Sequence, residues 1–486
     1  MPQQISPGSY EQGELELTFR DPAGQLLLTQ HHALRHVHPA AVEDTLAFLA
    51  SPLCASLELS GDLIPSKVDD SAADPQKISN ELWLKHPRID PISYPWEWTV
   101  AQWRAAAELT LRIAKQAIDA GWVLKDATPL NVLFAGPRPI FVDVLSFERR
   151  NPKSSVWLAY GQFVRTFLLP LVAAKFLKWP LQATLFSRDG YEPAMLYKAL
   201  PRWRCLTPDL FDVITLAALF ERSSGKRQEA RRPFKDTDPE LAKHILHKRI
   251  DRLGKQIRHV AEAGSESQWS EYTRSANHYQ AADISSKQEF VRSVLERCSP
   301  AHVLDIGANT GTYSLLASKS GAEVVAIDSD EAAIEMLWRA ATQQKQQITA
   351  LVANIARPTP AAGWKNREQL SLLERLTGKF DLVLMLAVIH HLILREQLPL
   401  THIGELCASL THRWLVLEWV PPSDPMYQEW LRGRDELYGS LSESDLLNAF
   451  SPFFRVLDRT ELGNQRVVLL FERKAGEASP LEAGPA

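Results

Sequence analysis

The feature that most constrains the fold is a glycine turn in the segment HVLDIGANTGTYSLL, residues 302–316. An apolar run from Val303 to Ile306 indicates a buried strand, and a helical pattern begins near Tyr313. Gly307 and Gly311 lie between them, where a tight turn needs backbone angles that glycine adopts at low cost. The order of strand, glycine turn and helix is typical of the first unit of an open α/β sheet that binds a ligand.

Six further strand-like runs, most of them apolar, follow this segment, and helical patterns separate most of them. They are EVVAID, ITALVAN, FDLVLMLAVI, RWLVLEWV, FRVLDRTEL and RVVLLFER. Strands that are apolar throughout are covered by helices on both faces, so we predict an α/β fold with a Rossmann-like, doubly wound sheet of seven mainly parallel strands. The last two runs have no helix between them, which predicts an antiparallel hairpin at the sheet edge.

The position of the turn also predicts where a ligand binds. In open α/β sheets ligands lie beyond the carboxyl ends of the strands, so Gly307 and Gly311 are expected to face one. The dinucleotide fingerprint has a second glycine where this chain has Asn309, so a pyrophosphate matches poorly. Asp328 ends the next strand, where a carboxylate can accept hydrogen bonds from the hydroxyls of a ribose.

This arrangement of strand, D-x-G-x-x-x-G turn, helix, strand and terminal acid resembles the class I S-adenosylmethionine-dependent methyltransferases, whose first motif matches LDIGANTG. The resemblance covers about residues 266–473 and implies S-adenosylmethionine as the cofactor. Asn354 stands where the family usually has an aspartate that contacts the adenine, and its amide oxygen can accept the same hydrogen bond. The resemblance implies these cofactor-binding residues: Asp305, Gly307, Asn309, Gly311, Asp328 and Asn354. The alternative is another Rossmann-like binding protein.

Methyl transfer from a sulfonium depends mainly on positioning, and a general base matters when the acceptor is a hydroxyl. His390 and His391 follow the fourth apolar run, and Glu418 lies near the end of the fifth, so all three are expected at the ligand edge as candidate catalytic residues. Structural roles are the alternative for each. One histidine would pack and the other would hydrogen-bond a loop, and Glu418 would be the buried partner of an arginine or a backbone amide. Asp424 lies in the loop beyond, and Tyr279 is an aromatic residue that could close over the cofactor.

The segment LKDATPLNVLFAGPRPIFVDVLSFE, residues 124–148, carries a second pattern. It resembles the catalytic loop and metal-binding strand of protein kinases and aminoglycoside phosphotransferases. The resemblance implies that Asp126 contacts an acceptor hydroxyl, while Asn131 and Asp143 hold magnesium. Leu124 replaces the usual histidine, and no glycine-rich phosphate loop is present. The alternative is that Asp126 and Asn131 only shape a turn.

These patterns divide the chain into four parts. We predict an α+β kinase-like domain at 1–262, which could be inactive, and a linker with a lid helix at 263–284. A methyltransferase domain at 285–474 and a flexible tail at 475–486 follow. The segments YPWEW, LKDATPLNVLF, the HHL strand and EWVPPSDPM together resemble bacterial two-part methyltransferases associated with nodulation proteins. That association concerns surface or signal glycans and does not identify the acceptor of this chain.

The composition and the charge favour some classes of protein over others. The net charge of −4 gives no general indication of nucleic-acid binding, and the four cysteines form no C-x-x-C pair. The apolar stretch 163–180 contains arginine, proline and lysine, so we predict a buried helix pair rather than a membrane span, with an interfacial membrane contact as the alternative. The run from Arg222 to Arg258 has 12 Lys or Arg against 5 Asp or Glu. Such a basic run is either the solvated face of helices or a site for an anionic partner.

We therefore predict a cytoplasmic methyltransferase that acts on a hydroxyl or carboxyl of an unidentified glycan or small metabolite. The sequence predicts no secretory signal, no transmembrane segment and no metal site outside the kinase-like residues. The competing prediction is a phosphotransferase or nucleotide-binding activity in the first domain. The third prediction is a scaffold that keeps both folds and has no catalytic activity.

Overall fold

The structure is a computed structural model that describes residues 15–18, 22–69, 82–224, 237–262, 281–431, 433, 435–463 and 465–474. Most of the predicted linker and lid, Tyr279 included, lies outside the described residues, and so does the predicted tail.

The first half of the chain contains a five-stranded antiparallel sheet in the order β1-β2-β3-β5-β4. Two short antiparallel pairs follow it, β6 with β9 and β7 with β8. The strands are β1 Leu15–Thr18, β2 Gly24–Leu28, β3 His32–Val37, β4 Lys67–Val68, β5 Leu82–Pro87, β6 Trp122–Leu124, β7 Val132–Ala135, β8 Arg138–Phe141 and β9 Phe147–Arg149.

Helices surround these strands, and one of the longest has 20 residues. Val100–Asp119 begins at Thr99, which exchanges capping hydrogen bonds with Gln102, and Gly121 follows its end with φ of +82°. The predicted helix pair at 163–180 is instead one helical run from Tyr160 to Leu177, with a π-helical turn at Val164–Leu168. The other helices are Pro39–Leu49, Pro52–Ser60, Pro193–Ala199, Arg202–Cys205, the π-helical Phe211–Leu216, Ala217–Ser224 and Pro239–Ala261.

The second half contains the predicted α/β sheet. Seven strands run in the order β12-β11-β10-β13-β14-β16-β15, with β16 antiparallel to both of its neighbours and the other pairs parallel. The predicted terminal hairpin is therefore confirmed. The strands are β10 His302–Ile306, β11 Glu323–Asp328, β12 Ile348–Val352, β13 Phe380–Met385, β14 Thr411–Trp419, β15 Phe454–Glu461 and β16 Val467–Arg473.

One strand prediction was too long. The apolar run FDLVLMLAVI suggests a strand through Ile389, but β13 ends at Met385. Ala387 has a φ of +55°, which turns the chain and cannot belong to a pleated strand. A short helix, Ile389–Leu394, begins two residues later. The candidate histidines therefore lie in the first turn of a helix rather than at the end of a strand.

Helices cover both faces of this sheet, as strands that are apolar throughout require. They are Ala281–Cys298, Thr312–Lys319, Glu331–Gln344, Leu372–Leu376, Ile389–Leu394, Leu400–Leu410, Pro425–Leu431, Asp435–Tyr438 and Glu443–Phe450. The largest apolar cluster contains side chains from both halves of the chain, from Ala23 to Leu470.

The two halves also meet through polar contacts at the start of the helix Val100–Asp119. Glu331 accepts a hydrogen bond from the backbone N of Val100 at 3.0 Å, and Glu335 accepts one from Ala101 at 3.2 Å. Carboxylates at this position satisfy the free N–H groups of the first helical turn. Within the described ranges no single helix is long and apolar enough to cross a bilayer. The pair Pro39–Leu49 and Pro52–Ser60, bent by 71°, meets the length and composition criteria only jointly.

Candidate active site

The glycine turn connects β10 to the helix Thr312–Lys319 at the carboxyl edge of the sheet. Gly307 and Gly311 have φ values of +72° and +85°. A Cβ on Gly307 would lie 2.3 Å from Val388 Cγ2, and one on Gly311 would lie 2.1 Å from Leu337 Cδ1. Both glycines are thus needed for the turn itself and for its packing against neighbouring side chains.

Asp328, at the end of β11, stabilises the glycine turn through hydrogen bonds to backbone N–H groups. Its Oδ2 accepts a hydrogen bond from the backbone N of Asn309 at 2.9 Å, and its Oδ1 accepts one from Asp330 N at 2.9 Å. Asn309 has a φ of +52°, and its side chain accepts from Thr310 N at 2.5 Å. Burial raises the pKa of Asp328, while these backbone hydrogen bonds lower it. The structure therefore brings together two residues that the sequence predicts for cofactor binding.

Asp305 lies beneath the turn, at the end of β10. Its Oδ2 accepts a hydrogen bond from Ser314 Oγ at 2.5 Å, and only 2% of the residue is exposed. Burial raises the pKa of Asp305 to about 6, and the charge of Asp328 acts in the same direction. The positive charge of Lys287 acts in the opposite direction and lowers the pKa of Asp305.

Asn354 follows β12, the strand next to β11. Its amide oxygen accepts a hydrogen bond from Ala356 N at 2.9 Å and so shapes the loop after the strand. An amide oxygen has two lone pairs, so this contact still permits a second hydrogen bond. The role in adenine recognition stays a prediction.

The chemistry of this edge fits S-adenosylmethionine. Asp305 and Asp328 are both carboxylates, which accept hydrogen bonds from an ammonium group and from ribose hydroxyls. The carboxylate of Asp305 lies beneath the turn, where it would repel the pyrophosphate that a dinucleotide-binding turn holds. Asp305 and the turn thus favour a nucleoside without phosphate, whereas Asp328 suits the ribose of either ligand.

His390 and His391 form an aromatic cluster with Trp430. The His390 ring stacks on Trp430 at 5.4 Å between centroids and lies 4.4 Å from the ring of His391. His390 is 2% exposed, and neither ring nitrogen has a hydrogen-bond partner among the described residues. Burial lowers the pKa of His390 to about 2 and that of His391 to about 4, so both imidazoles are neutral near pH 7 and weakly basic.

Glu418, at the end of β14, lies in a buried network of alternating charges. Lys287 contacts its Oε2, and Arg466 Nη1 lies 3.2 Å from its Oε1. Arg466 also pairs with Asp424 at 2.8 Å, and all four residues are buried. Both carboxylate oxygens of Glu418 thus bind cations, which matches the structural alternative given for this residue. The positive charges of Lys287 and Arg466 help to lower the pKa of His390, after burial and the neighbouring His391.

Neither Lys287 nor Arg466 was expected at this site from the sequence. Lys287 is 131 residues from Glu418 along the chain, and Arg466 is 48 residues from it. A cation that faces a strand-end acid could have been expected in general, because a fully buried carboxylate needs a partner. Which cation fills that role depends on how the helices pack over the sheet.

Two of the three residues of the kinase-like pattern, Asn131 and Asp143, lie close together in the first half. Asn131 Nδ2 lies 3.1 Å from Ser146 Oγ and 3.5 Å from Asp143 Oδ2, and Asp126 accepts from Gln162 Nε2 at 3.2 Å. Asp143 forms an ion pair with Arg35 of β3 at 2.7 Å. No cluster of three or more metal-ligating His, Cys, Asp or Glu side chains occurs in the described part of the chain.

These observations define the class of protein. Residues 304–408 match the sequence model of the family described as "Methyltransferase domain". This segment includes the glycine turn, Asp328 and the histidine pair. The protein is an S-adenosylmethionine-dependent methyltransferase, and its cofactor is S-adenosylmethionine.

The chain is similar over nearly its whole length to one curated protein, the nodulation protein NoeA of Rhizobium meliloti (strain 1021). The two are 29% identical over 475 residues, which cover 95% of this chain and 96% of NoeA. Among solved structures, magnesium protoporphyrin IX methyltransferase ChlM of Synechocystis PCC 6803 is 18% identical, with a TM-score of 0.31, and covers 43% of this chain and 95% of its own. N-methyltransferase NodS of Bradyrhizobium japonicum WM9 is 12% identical, with a TM-score of 0.30, over 40% and 98% of the two chains.

Proposed function

We propose that the protein transfers the methyl group to an oxygen of a glycan or small metabolite, and that the histidine pair contacts this acceptor. The observation that carries the proposal is the buried imidazole of His390, whose two nitrogens lack partners among the described residues. A neutral imidazole offers one donor and one acceptor, and leaving both unpaired in a buried place costs about 1–3 kcal/mol per group. An acceptor oxygen would supply the missing hydrogen bond.

The chain's own residues divide the remaining tasks. When bound, the cofactor supplies a sulfonium methyl group that a nucleophile attacks in line. Asp305, Gly307, Asn309, Gly311, Asp328 and Asn354 are the residues proposed to hold the cofactor. The buried Lys287–Glu418–Arg466 network keeps the end of β14 in place beside the histidines, so we assign Glu418 a positioning role.

The basicity of the histidines favours one kind of oxygen acceptor. A general base works best when its pKa lies near the operating pH, but burial lowers the pKa values of His390 and His391 to about 2 and about 4. A carboxylate acceptor needs no base, because it carries no proton. A hydroxyl would have to lose its proton during the transfer, with only a weak base nearby. The site therefore favours a carboxylate over a hydroxyl.

A labelling experiment tests this proposal. The purified protein would be incubated with S-adenosylmethionine that carries a radioactive methyl group and with separate glycan and small-metabolite extracts of the source cells. Mild base hydrolyses a methyl ester to volatile methanol, whereas a methyl ether is stable. Release of the label as volatile methanol is expected. Stable label would favour a hydroxyl, and label on nitrogen or sulfur would contradict the proposal.

A second function is supported by a cavity in the first half of the chain. It has a volume of about 70 Å³ and lies between the five-stranded sheet and the β7–β8 hairpin. Its apolar walls include Leu28, Ala33, Leu133 and Val142, and Arg35 lies at the same cavity. We propose that this kinase-like region binds a nucleotide or related ring compound without transferring phosphate, because Arg35 already neutralises Asp143, the residue that would hold magnesium. Thermal unfolding with ATP, with and without magnesium, tests this directly.

A further inference from the structure

An exposed apolar surface lies on the helices between residues 193 and 224. The helix Pro193–Ala199 packs against both Phe211–Leu216 and Ala217–Ser224, so these segments form one unit. Large apolar side chains of this unit face solvent, and Trp203 and Leu206 are 61% and 64% exposed. The exposed set is Met195, Trp203, Leu206, Phe211, Leu216, Leu219 and Phe220. Apolar side chains grouped in this way mark a contact surface more often than a solvated one.

A basic helix lies directly beside this unit. Arg252 of the helix Pro239–Ala261 donates a hydrogen bond to Pro208 O at 3.0 Å, and Gln256 donates one to Asp209 O at 2.6 Å. The exposed cations of this helix are Lys248, Arg249, Arg252, Lys255 and Arg258. Lys248, Arg252 and Lys255 follow the i, i+4, i+7 spacing and therefore share one face.

The acidic residues near this junction are largely paired with basic ones. Asp212 forms an ion pair with Arg252 at 2.8 Å, and Asp251 forms one with Lys115 at 2.8 Å. Asp209 lies 3.7 Å from His259. Because Asp212 and Glu108 neutralise Arg252 and Arg258, the positive charge of this surface comes from Lys248, Arg249 and Lys255.

We propose that this surface, which we call the 193–258 surface, binds an anionic lipid membrane from one side. A membrane interface accepts both kinds of group at once, since apolar side chains enter the acyl boundary while cations contact lipid phosphates. The Arg204 guanidinium lies 4.0 Å from the centroid of the Trp203 ring, so a cation and an indole project at the same place. Indole rings are favoured at membrane interfaces for their apolar body and polar N–H.

Two other partners fit the surface less well. A nucleic acid would satisfy the cations, but it offers no apolar layer for Met195, Leu206 and Leu216. A second copy of the chain in a symmetric dimer would place the basic face of Pro239–Ala261 near its own image, which like charges oppose. The membrane is the partner that accommodates both features.

The test is cosedimentation of the full chain with vesicles of phosphatidylcholine alone and of phosphatidylcholine with phosphatidylglycerol at a ratio of about four to one. Binding is expected only to the anionic vesicles, and it should weaken as salt is raised. The variant Trp203→Ser/Leu206→Ser should lower the partition coefficient about tenfold or more, given the transfer free energies of such side chains. Lys248→Gln/Lys255→Gln should lower it about tenfold, given the attraction of each cation to an anionic leaflet.

Matched controls change the same residue types elsewhere. Leu59→Ser removes a leucine that is 92% exposed on another helix, and Lys67→Gln/Lys319→Gln removes two exposed lysines of other elements. Both controls should bind like the parent. Absence of binding to anionic vesicles would overturn the proposal, and so would equal loss in the control variants. A dimer or an RNA complex that the Trp203→Ser/Leu206→Ser variant abolishes, without vesicle binding, would assign the surface to that partner instead.

Discussion

Glu97 and Arg375 form a fully buried ion pair that joins the two halves of the chain. Arg375 Nη1 lies 3.0 Å from Glu97 Oε2, and Nη2 contacts Oε1. The guanidinium also donates to Ile92 O at 2.6 Å and lies 4.7 Å from the centroid of the Tyr94 ring. The side chains of Arg375 and Glu97 are 1% and 0% exposed. Since all these contacts cross from one half to the other, the pair fixes how the halves pack.

We expect Arg375→Met to lower the free energy of unfolding by about 3–5 kcal/mol, because it leaves the Glu97 carboxylate buried and unpaired. Urea unfolding followed by circular dichroism measures the change. The double variant Glu97→Gln/Arg375→Met should be less destabilised than the two single variants added together. The control Arg297→Met breaks an exposed ion pair with Asp458 and should cost under about 1 kcal/mol. A similarly small cost for Arg375→Met would contradict the role given to this pair.

Asp328→Ala should weaken the binding of S-adenosylmethionine by about 1.5–3 kcal/mol, the range for hydrogen bonds to a charged group. Titration calorimetry with the cofactor and with its demethylated product measures this loss. Asp381→Ala is the matched control, because Asp381 also accepts two backbone hydrogen bonds, from Ala301 and His302, at the opposite edge of the sheet. The control should lower stability and leave cofactor affinity unchanged. If a folded Asp328→Ala binds the cofactor like the parent, the assignment of this acid is wrong.

Gly311→Ala and Gly321→Ala separate backbone strain from lack of space. Both glycines have positive φ, +85° and +97°, but a Cβ on Gly321 meets nothing within 4 Å. Gly321→Ala should therefore cost only the left-handed penalty of about 1–2 kcal/mol. Gly311→Ala should cost more, and it should also weaken cofactor binding because the turn must shift away from Leu337. Equal effects of the two substitutions on both measurements would show that packing at Gly311 is unimportant.

The buried histidines should make the protein less stable in mild acid. Burial lowers the pKa of His390 to about 2 and of His86 to about 4, whereas both take up a proton near pH 6.5 when unfolded. Their contribution to stability is therefore complete above about pH 6.5 and falls as the pH drops, by up to about 1.4 kcal/mol per pH unit for each histidine. The loss ends near pH 4 for His86 and near pH 2 for His390.

The titration of Asp305 has the opposite effect on the free energy of unfolding in part of this pH range. Its pKa of about 6 lies above the unfolded value, so falling pH between about 6 and 4 favours the folded state at this residue. Urea unfolding between about pH 4.5 and 7.5 would show the net slope. The variant His86→Phe should have a slope smaller by about one proton, and an unchanged slope would mean that His86 is not held neutral.

The α/β half could largely be predicted from the sequence, because its strands are apolar runs that only a sheet covered on both faces can bury. The end of β13 could not, since Leu386 and Val388 are as apolar as the strand and the break depends on the backbone angle of Ala387. In the site, the strand-end acids follow from their position in the chain. Lys287, Arg466 and Arg35 do not, because each reaches its carboxylate across 48 to 131 residues of sequence.

The last prediction concerns the kinase-like residues of the first half. Asp143 accepts contacts from Arg35, from Ser146 Oγ and from the backbone N of Leu145. A carboxylate with its oxygens occupied by a cation and two other donors has little capacity left for magnesium, which prefers near-octahedral oxygen ligands. We therefore expect ATP with magnesium to stabilise the protein no more than ATP alone, and we expect no phosphate transfer.

Thermal unfolding of the parent, Asp143→Asn and Arg35→Gln with ATP, with and without magnesium, measures this. Asp143→Asn should leave methyl transfer from labelled S-adenosylmethionine to the extracts largely unchanged, because the residue lies in the other half of the chain from the cofactor turn. Arg35→Gln removes the positive charge from Asp143, so any latent magnesium site should become visible in this variant first. A large magnesium-dependent stabilisation of the parent that Asp143→Asn abolishes would contradict this prediction. It would show that magnesium displaces Arg35 from Asp143 and that the first half contains a working nucleotide site.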